Sequence, residues 1–357
     1  MQTVRSFLVQ PDAADTAPAS TLARRLNGFP RALVRSLERW RQRPSLSLGL
    51  QGGGSFGAFT WGVLDRLLEE EHIRFDTLSG ASAGAVNAVI LASGLAQGGR
   101  SLARERLERF WRQVSTAGMF SPMSRLGQSA AATIDISTRM VSPYQFNPLG
   151  LNPLRALLAE HVNFEHLRKA PPFRLLIAAT RVKDGRVRIF GTDEISLDAV
   201  LASACLPLLQ HAVEIDGEWY WDGGYSANPP LRRLIMDSKT DDIVLVQVTP
   251  ESDEAVPHLS PAIARRISRI AFNSPLQREV EGLADFRDLC RAEGVFRSRF
   301  CRKLERLRLH RIVAEAAVEG LHRESAYNVD WAFLTKLKDS GRRAAEDWLC
   351  NSGGVRA

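Results

Sequence analysis

The apolar run Leu46–Gln51 breaks off at Gly52-Gly53-Gly54, and helical periodicity follows over Phe59–Leu68. The pattern then recurs. Phe75–Leu78 leads into Gly80-Ala81-Ser82-Ala83-Gly84, and the alanine-rich stretch Ala83–Ala92 reads as the next helix. A strand that turns sharply into a helix, twice in succession, restricts a chain to alternating β and α elements.

Later segments extend the alternation. Phe173–Thr180 reads as a strand and meets Val182–Phe190 through Lys183-Asp184-Gly185, a hairpin signal. Glu218–Trp221 reads as a short strand and Ile243–Val248 as a buried one. The expectation is an α/β sheet with helices on both faces. The α/β part is expected to span 45–250, preceded by a tail and basic amphipathic segment over 1–44. A helical, basic C-terminal region follows over 251–357.

The chain has 357 residues, 45% hydrophobic and 24% charged, which supplies a sizeable core. Its formal net charge of +7 favours an anionic partner. The positive charge concentrates in the Arg24–Arg43 and Arg297–Arg311 segments, which are candidates for contact with an anionic membrane surface. Arginines without interleaved aromatics give no expectation of specific nucleic-acid binding. The four cysteines, Cys205, Cys290, Cys301 and Cys350, lack CxxC or metal-ligand spacing and read as free thiols in a reducing compartment. No secretory leader is read at the N-terminus, and no apolar stretch reaches the ~18 residues of a membrane span. The expectation is a cytoplasmic protein that meets membranes from the surface.

Gly52-Gly53-Gly54-Ser55-Phe56-Gly57 fits GxGxxG between a strand and a helix, the setting of a dinucleotide-binding turn. Asp76, 19 positions after Gly57, stands near where a ribose-binding acid belongs. A nicotinamide-dependent oxidoreductase is therefore one reading, although it leaves the second glycine turn without a role. The same backbone N–H groups can instead face the oxyanion of an acyl intermediate. That use needs a nucleophile, and Gly80-Ala81-Ser82-Ala83-Gly84 has the GxSxG form of a nucleophile elbow.

A base for Ser82 is less plain. His258 would complete a formal Ser82–Asp222–His258 triad, but it sits in a loop-like segment, and His211 belongs to no motif. Asp222 ends an aromatic strand and is followed by Gly223-Gly224. Taken alone, Asp-Gly-Gly is an ordinary turn. Its order after the glycine loop and the serine gives it weight. A catalytically idle membrane-binding protein, suggested by the basic segments, is a third reading.

The ordered set of Gly52–Gly57, Gly80–Gly84 and Asp222–Gly224 resembles the patatin-like phospholipase family. Ala202-Ser203-Ala204-Cys205-Leu206-Pro207 and Tyr225-Ser226-Ala227-Asn228-Pro229 strengthen the likeness, which covers about residues 46–236. The resemblance implies a three-layer α/β/α sandwich with a mostly parallel central sheet and a helical C-terminal extension. It implies lipid acyl-ester hydrolysis of phospholipase A or lysophospholipase type by a Ser82–Asp222 dyad, with no cofactor and no metal. Gly52, Gly53, Gly54, Ser55 and Gly57 would surround the oxyanion, with Gly80, Ala81, Ala83 and Gly84 shaping the elbow. The family loop usually carries Lys or Arg before its last glycine, whereas this chain has Phe56, which alters any side-chain contact to a lipid phosphate.

Overall fold

The computed structural model describes residues 44–117, 141–252, 256–292, 298–318, 321 and 326–351. Strand β1 (Ser45–Leu50) leads through a glycine turn to helix α1 (Gly57–Leu67), and β2 (Arg74–Gly80) leads to α2 (Ala83–Thr116). Helices α3 (Pro143–Phe146), α4 (Pro153–His161) and α5 (Phe164–Lys169) come next. They are followed by β3 (Arg174–Arg181), β4 (Val187–Gly191), α6 (Leu197–Ser203), β5 (Val213–Ile215) and β6 (Glu218–Asp222). Then come α7 (Leu231–Asp237), β7 (Asp242–Gln247), α8 (Ser260–Ala292) and α9 (Arg299–Arg306). The chain closes with β8 (Arg308–Val313), α10 (Ala314–Ala317) and α11 (Trp331–Asn351).

The eight strands form one sheet in the order β5-β6-β3-β2-β1-β7-β8, with β4 also paired to β3. The pairs from β3 through β8 along that order are parallel, while β4, β5 and β6 join antiparallel. Ile243–Val246 of β7 is wholly buried, as expected of a parallel strand covered on both faces. Alternate side chains divide between two cores. Val244 and Val246 join the larger cluster with Phe59, Leu64, Val89 and Ile90, whereas Ile243 and Leu245 join Leu231, Leu234, Leu276 and Leu283. The result is the expected α/β/α sandwich.

The chain order along the sheet reverses at β1, whose neighbours are β2 on one side and β7 on the other. Crevices at the carboxyl ends of such strands are where α/β sheets bind ligands. Leu50↔Gly80 pairing puts the glycine loop and the serine turn at that same edge.

Helix α11 docks on α1 so closely that a Cβ on Gly62 would lie 1.9 Å from the Lys338 carbonyl oxygen. Ion pairs surround the contact: Asp65 receives Arg104 at 2.7 Å and also Arg342, while Arg66 meets Glu346 at 2.5 Å. Burial alone would raise the Asp65 pKa, but the two arginines reverse that and hold it below its ordinary value.

Three local expectations change. The Arg181–Asp184 pair and the Asp184 contact to the Arg186 N–H hold the turn open, so β4 begins at Val187 and not Val182. Arg308–Val313 lies within a stretch read as helical, yet it is a strand paired in parallel with β7. Cys290 and Cys301 are not free: α9 folds back on α8 and brings them into a disulfide with Cα atoms 5.6 Å apart. Cys205 and Cys350 form no disulfide among the described residues. Among the described residues, no helix is long and apolar enough to cross a membrane.

Leu337, fully buried on α11, tests whether this helix and the sheet unfold together. Leu337→Ala is expected to lower stability by about 2–5 kcal/mol in one cooperative urea transition. An unchanged midpoint would show that α11 is dispensable to the core.

Candidate active site

The serine turn is built by close backbone approach. A Cβ on Gly84 would stand 2.1 Å from the Leu50 carbonyl oxygen, and one on Gly52 would stand 2.6 Å from the Ser82 Cβ. Larger residues at either position would separate the glycine loop from the elbow. Ala81 packs below with Ala178 and Ala227, small enough for the sheet and turn to close together.

Ser82 itself has φ 52° and ψ −127°, a left-handed conformation rare for a side chain of this kind. It is held there by its N–H, which donates to the Ser203 carbonyl at 3.1 Å and to Ser203 Oγ at 3.0 Å. An observed backbone outlier that the surroundings enforce is what a nucleophile elbow requires. Asn87, one helical turn further on, donates to the carbonyls of Gly57 and Ala83 at 3.0 Å each. It therefore ties the end of the glycine loop to the start of α2.

Five glycine-loop positions were expected around an oxyanion, and the structure divides them. The Gly52 N–H donates to Asn228 Oδ1 at 2.7 Å, and the Ser55 N–H donates to the Ala326 carbonyl at 2.8 Å. The Gly57 N–H turns back to carbonyls of its own loop. The N–H groups of Gly53 and Gly54 have no acceptor among the described residues. Gly54, at φ 59°, takes the left-handed turn that redirects the backbone here. Phe56 is buried against Phe333 and does not line the cavity beside Ser82.

Asp222 is wholly buried at the end of β6. Its Oδ1 accepts the Gly224 N–H at 2.8 Å, while Oδ2 makes no hydrogen bond of normal geometry. Burial pushes the carboxyl pKa up to about 7, against the opposing influence of the nearby Ser82 hydroxyl and the Gly224 N–H. A Cβ on Gly223 would lie 2.1 Å from the Ala178 carbonyl oxygen, so the turn after Asp222 is pressed onto β3. Burial first, and then the nearby Asp222 charge, push the Cys205 thiol up to about 12, which makes it inert.

An apolar cavity of about 60 Å³ opens beside Ser82, walled by Val86, Phe110, Trp111, Val114, Leu154 and Leu206. Among the described residues, no histidine lines it. His258 is exposed, and His211 stacks on Tyr144 with ring centroids 4.1 Å apart. Asp76, the candidate ribose acid, lies near the amino end of β2, where it accepts the Lys239 N–H at 2.7 Å. It is thus at the opposite end of the strand from the glycine loop.

Residues 48–235 match the family model described as patatin-like phospholipase. The chain belongs to the patatin-like phospholipase family. It is also similar to two solved structures. One is the crystal structure of VipD from Legionella pneumophila, at 16% identity over 84% of this chain and 67% of that one, with a TM-score of 0.32. The other is the crystal structure of the type III effector protein ExoU, at 15% identity over 88% of this chain, with a TM-score of 0.32. This chain covers 54% of that ExoU chain. No curated protein matches it.

Several residues that shape this patatin-like site were not singled out from sequence for their contacts. Asn228 braces Gly52 and also donates to the Phe272 carbonyl at 3.1 Å, linking the loop to α8. Gln51 accepts the N–H groups of Val248 and Thr249 at 2.8 and 3.0 Å and donates to Asn273 Oδ1 at 3.0 Å. Their available signal was a polar amide placed directly after an apolar strand or within a small-residue turn. The basic segment Arg24–Arg43 lies outside the described residues. In Arg297–Arg311, Arg306 pairs with Asp241 at 3.0 Å, and Arg308 Nε reaches Asp242 at 2.6 Å. Arg311 pairs with Glu251, and Lys303 donates to the Ser238 carbonyl.

The buried carboxyl has a measurable signature. Its folded pKa, about 7, exceeds its unfolded value near 3.9, so the folded state holds the proton more tightly. Stability is therefore lost as pH rises from about 4 to about 7, by up to ~4 kcal/mol. Asp222→Asn carries no such charge and should be the more stable protein at pH 8, with the difference shrinking towards pH 4. Urea titrations at both pH values check this. Equal stabilities at pH 8 would place the carboxyl in a far wetter setting.

Proposed function

We propose that this chain is a serine lipid acyl-hydrolase of phospholipase A or lysophospholipase type, with Ser82 as nucleophile and Asp222 as its general base. The observation that carries the reading is the strained, cavity-facing Ser82 beside a buried carboxyl lifted to about 7. A general base works best with a pKa near the working pH, and an ordinary carboxyl would be too weak.

An ester enters with its acyl chain in the apolar cavity and its carbonyl carbon at Ser82 Oγ. Asp222 takes the hydroxyl proton as Oγ attacks, and the carbonyl oxygen becomes an oxyanion. Gly53 and Gly54 supply the unoccupied N–H groups that receive that charge. Donors of this type contribute about 3–4 kcal/mol each to lowering the barrier. Collapse breaks the ester C–O bond, and protonated Asp222 gives its proton to the departing alkoxide. Water then attacks the acyl-serine as Asp222 takes its proton; the acyl C–Oγ bond breaks, Asp222 returns the proton to Ser82 Oγ, and the fatty acid leaves. Every step uses side chains and backbone donors of this chain, with no cofactor in the scheme.

Substrate reaches the site from a lipid surface, with the enzyme peripheral to the cytoplasmic face. Asn228 acts as a positioning residue: its hold on Gly52 sets the orientation of the next two peptide units.

The primary test is fatty-acid release from phospholipid vesicles and hydrolysis of a small activated ester. Ser82→Ala should abolish both while leaving the unfolding curve intact, and retained turnover would overturn the nucleophile assignment. The kcat/KM of the wild type should rise through about pH 7 with unit slope and then level off, as the base loses its proton. Asn228→Ala should reduce kcat by about tenfold or more with a smaller change in KM, the pattern of a lost transition-state interaction. Equal kcat values would remove Asn228 from the scheme.

A further inference from the structure

Two surface segments are unusual for lacking charge. Residues 141–154 read VSPYQFNPLGLNPL, fourteen positions without Asp, Glu, Lys, Arg or His, where a chain that is 24% charged would carry about three charged side chains. Residues 204–213 read ACLPLLQHAV and add only His211.

The fold brings these segments together. Tyr144 stacks on His211, the Tyr144 hydroxyl accepts the Ala212 N–H at 3.2 Å, and His211 Nε2 lies 3.2 Å from the Pro143 carbonyl oxygen. Their large apolar side chains point outward: Leu149 is 81% exposed, Leu151 68%, Tyr144 54% and Leu208 52%, with Phe146 beside them at 47%. Just beyond, Arg155 is neutralised by Asp198 at 2.6 Å. The inner side chains of the same segments, Leu154, Ala204, Leu206 and Gln210, line the Ser82 cavity. One continuous piece of structure therefore has an exposed apolar outer face and forms the cavity wall on its inner face.

We infer that this uncharged rim is the face by which the protein docks on a lipid bilayer, with Leu149, Leu151, Phe146 and Leu208 entering the boundary between headgroups and acyl chains. The inference rests on the acyl-ester reading of Ser82 and names the surface that presents substrate to it. Several large apolar side chains left exposed on one piece of structure mark an interaction site. Continuity with an apolar cavity selects an acyl-chain phase as the occupant. Tyr144 suits the interface, since its half-exposed ring can enter the apolar layer while its hydroxyl keeps the Ala212 N–H as a partner. A face without charge gains nothing from anionic lipid, so its binding must survive salt. This distinguishes it from the basic segments, whose attachment would be screened.

The test is flotation of the 357-residue chain carrying Ser82→Ala with zwitterionic phosphatidylcholine vesicles at ~0.1 M and ~1 M NaCl. Binding should change by less than about twofold between the two salt levels. Adding Leu149→Asp and Leu151→Asp should lower vesicle partitioning by about tenfold or more. Leu208→Asp, on the other segment, should weaken it independently. In the Ser82-containing protein, the same rim substitutions should lower hydrolysis of vesicle lipid and spare hydrolysis of a small soluble ester, which also reports that the site is folded. Absence of vesicle binding, or binding that ignores all three substitutions, would overturn the inference. Binding abolished by salt would assign attachment to the basic segments. If wild type cleaves no ester of any kind while the rim still governs vesicle binding, the hydrolase reading fails and the docking face stands.

Discussion

The contact between the Gly84 position and the Leu50 carbonyl holds the site together. Parallel pairing of β1 with β2 sets two strand-to-helix turns side by side, but pairing alone would leave them a side chain's width apart. Missing Cβ atoms at Gly52 and Gly84 let the turns interlock. Asn87 then joins the two turns by hydrogen bonds, and Ser203 fixes the strained Ser82 backbone from α6. The distance between the hydroxyl and the open N–H groups of Gly53 and Gly54 is consequently a property of the sheet. In the proposed reaction this rigidity matters, because a loop free to relax could not hold donors in advance of charge development.

Asp222 requires a different kind of support. A carboxyl at the end of β6 with one oxygen unpartnered resists ionisation, and the fold bears that destabilisation through the rest of its core. The compensation is spread widely. Fully buried β1 and β7 side chains, the α1–α11 contact and the Asp65–Arg104–Arg342 group all lie away from the cavity. This division is usual where a site needs a poised group: strain and unfavourable burial collect at one place and rigid packing surrounds it.

Sequence pattern carried the α/β sheet, both glycine turns and the placement of Ser82 and Asp222 at strand ends, because each depends on local chemistry. Small residues are needed where a turn is tight, and apolar runs are needed where a strand is covered on both faces. Features made by distant contacts were not legible. Arg308–Val313 alternates too weakly to distinguish a strand from an arginine-rich helix, and only the open edge of β7 decides it. The Cys290–Cys301 pairing depends on α9 folding back over α8, which spacing along the chain does not encode. Gln51 and Asn228 resemble ordinary polar residues until Val248, Thr249 and Gly52 come within hydrogen-bond reach.

Charge shows the same dependence on context, with consequences for function. The basic stretch around 297–311 suggested an attraction to anions, yet Arg306, Arg308 and Arg311 are matched with Asp241, Asp242 and Glu251. Those pairs join α9 and β8 to the β7 edge, so the arginines serve the sheet before any outside partner. Segments with no charge stand out less by composition, but they leave apolar side chains exposed next to the cavity beside Ser82. A substrate with long acyl chains is held in its membrane by the same hydrophobic effect that such a rim can replace. Extraction is easiest where rim and cavity are continuous, since the chain then exchanges one apolar environment for another without crossing water.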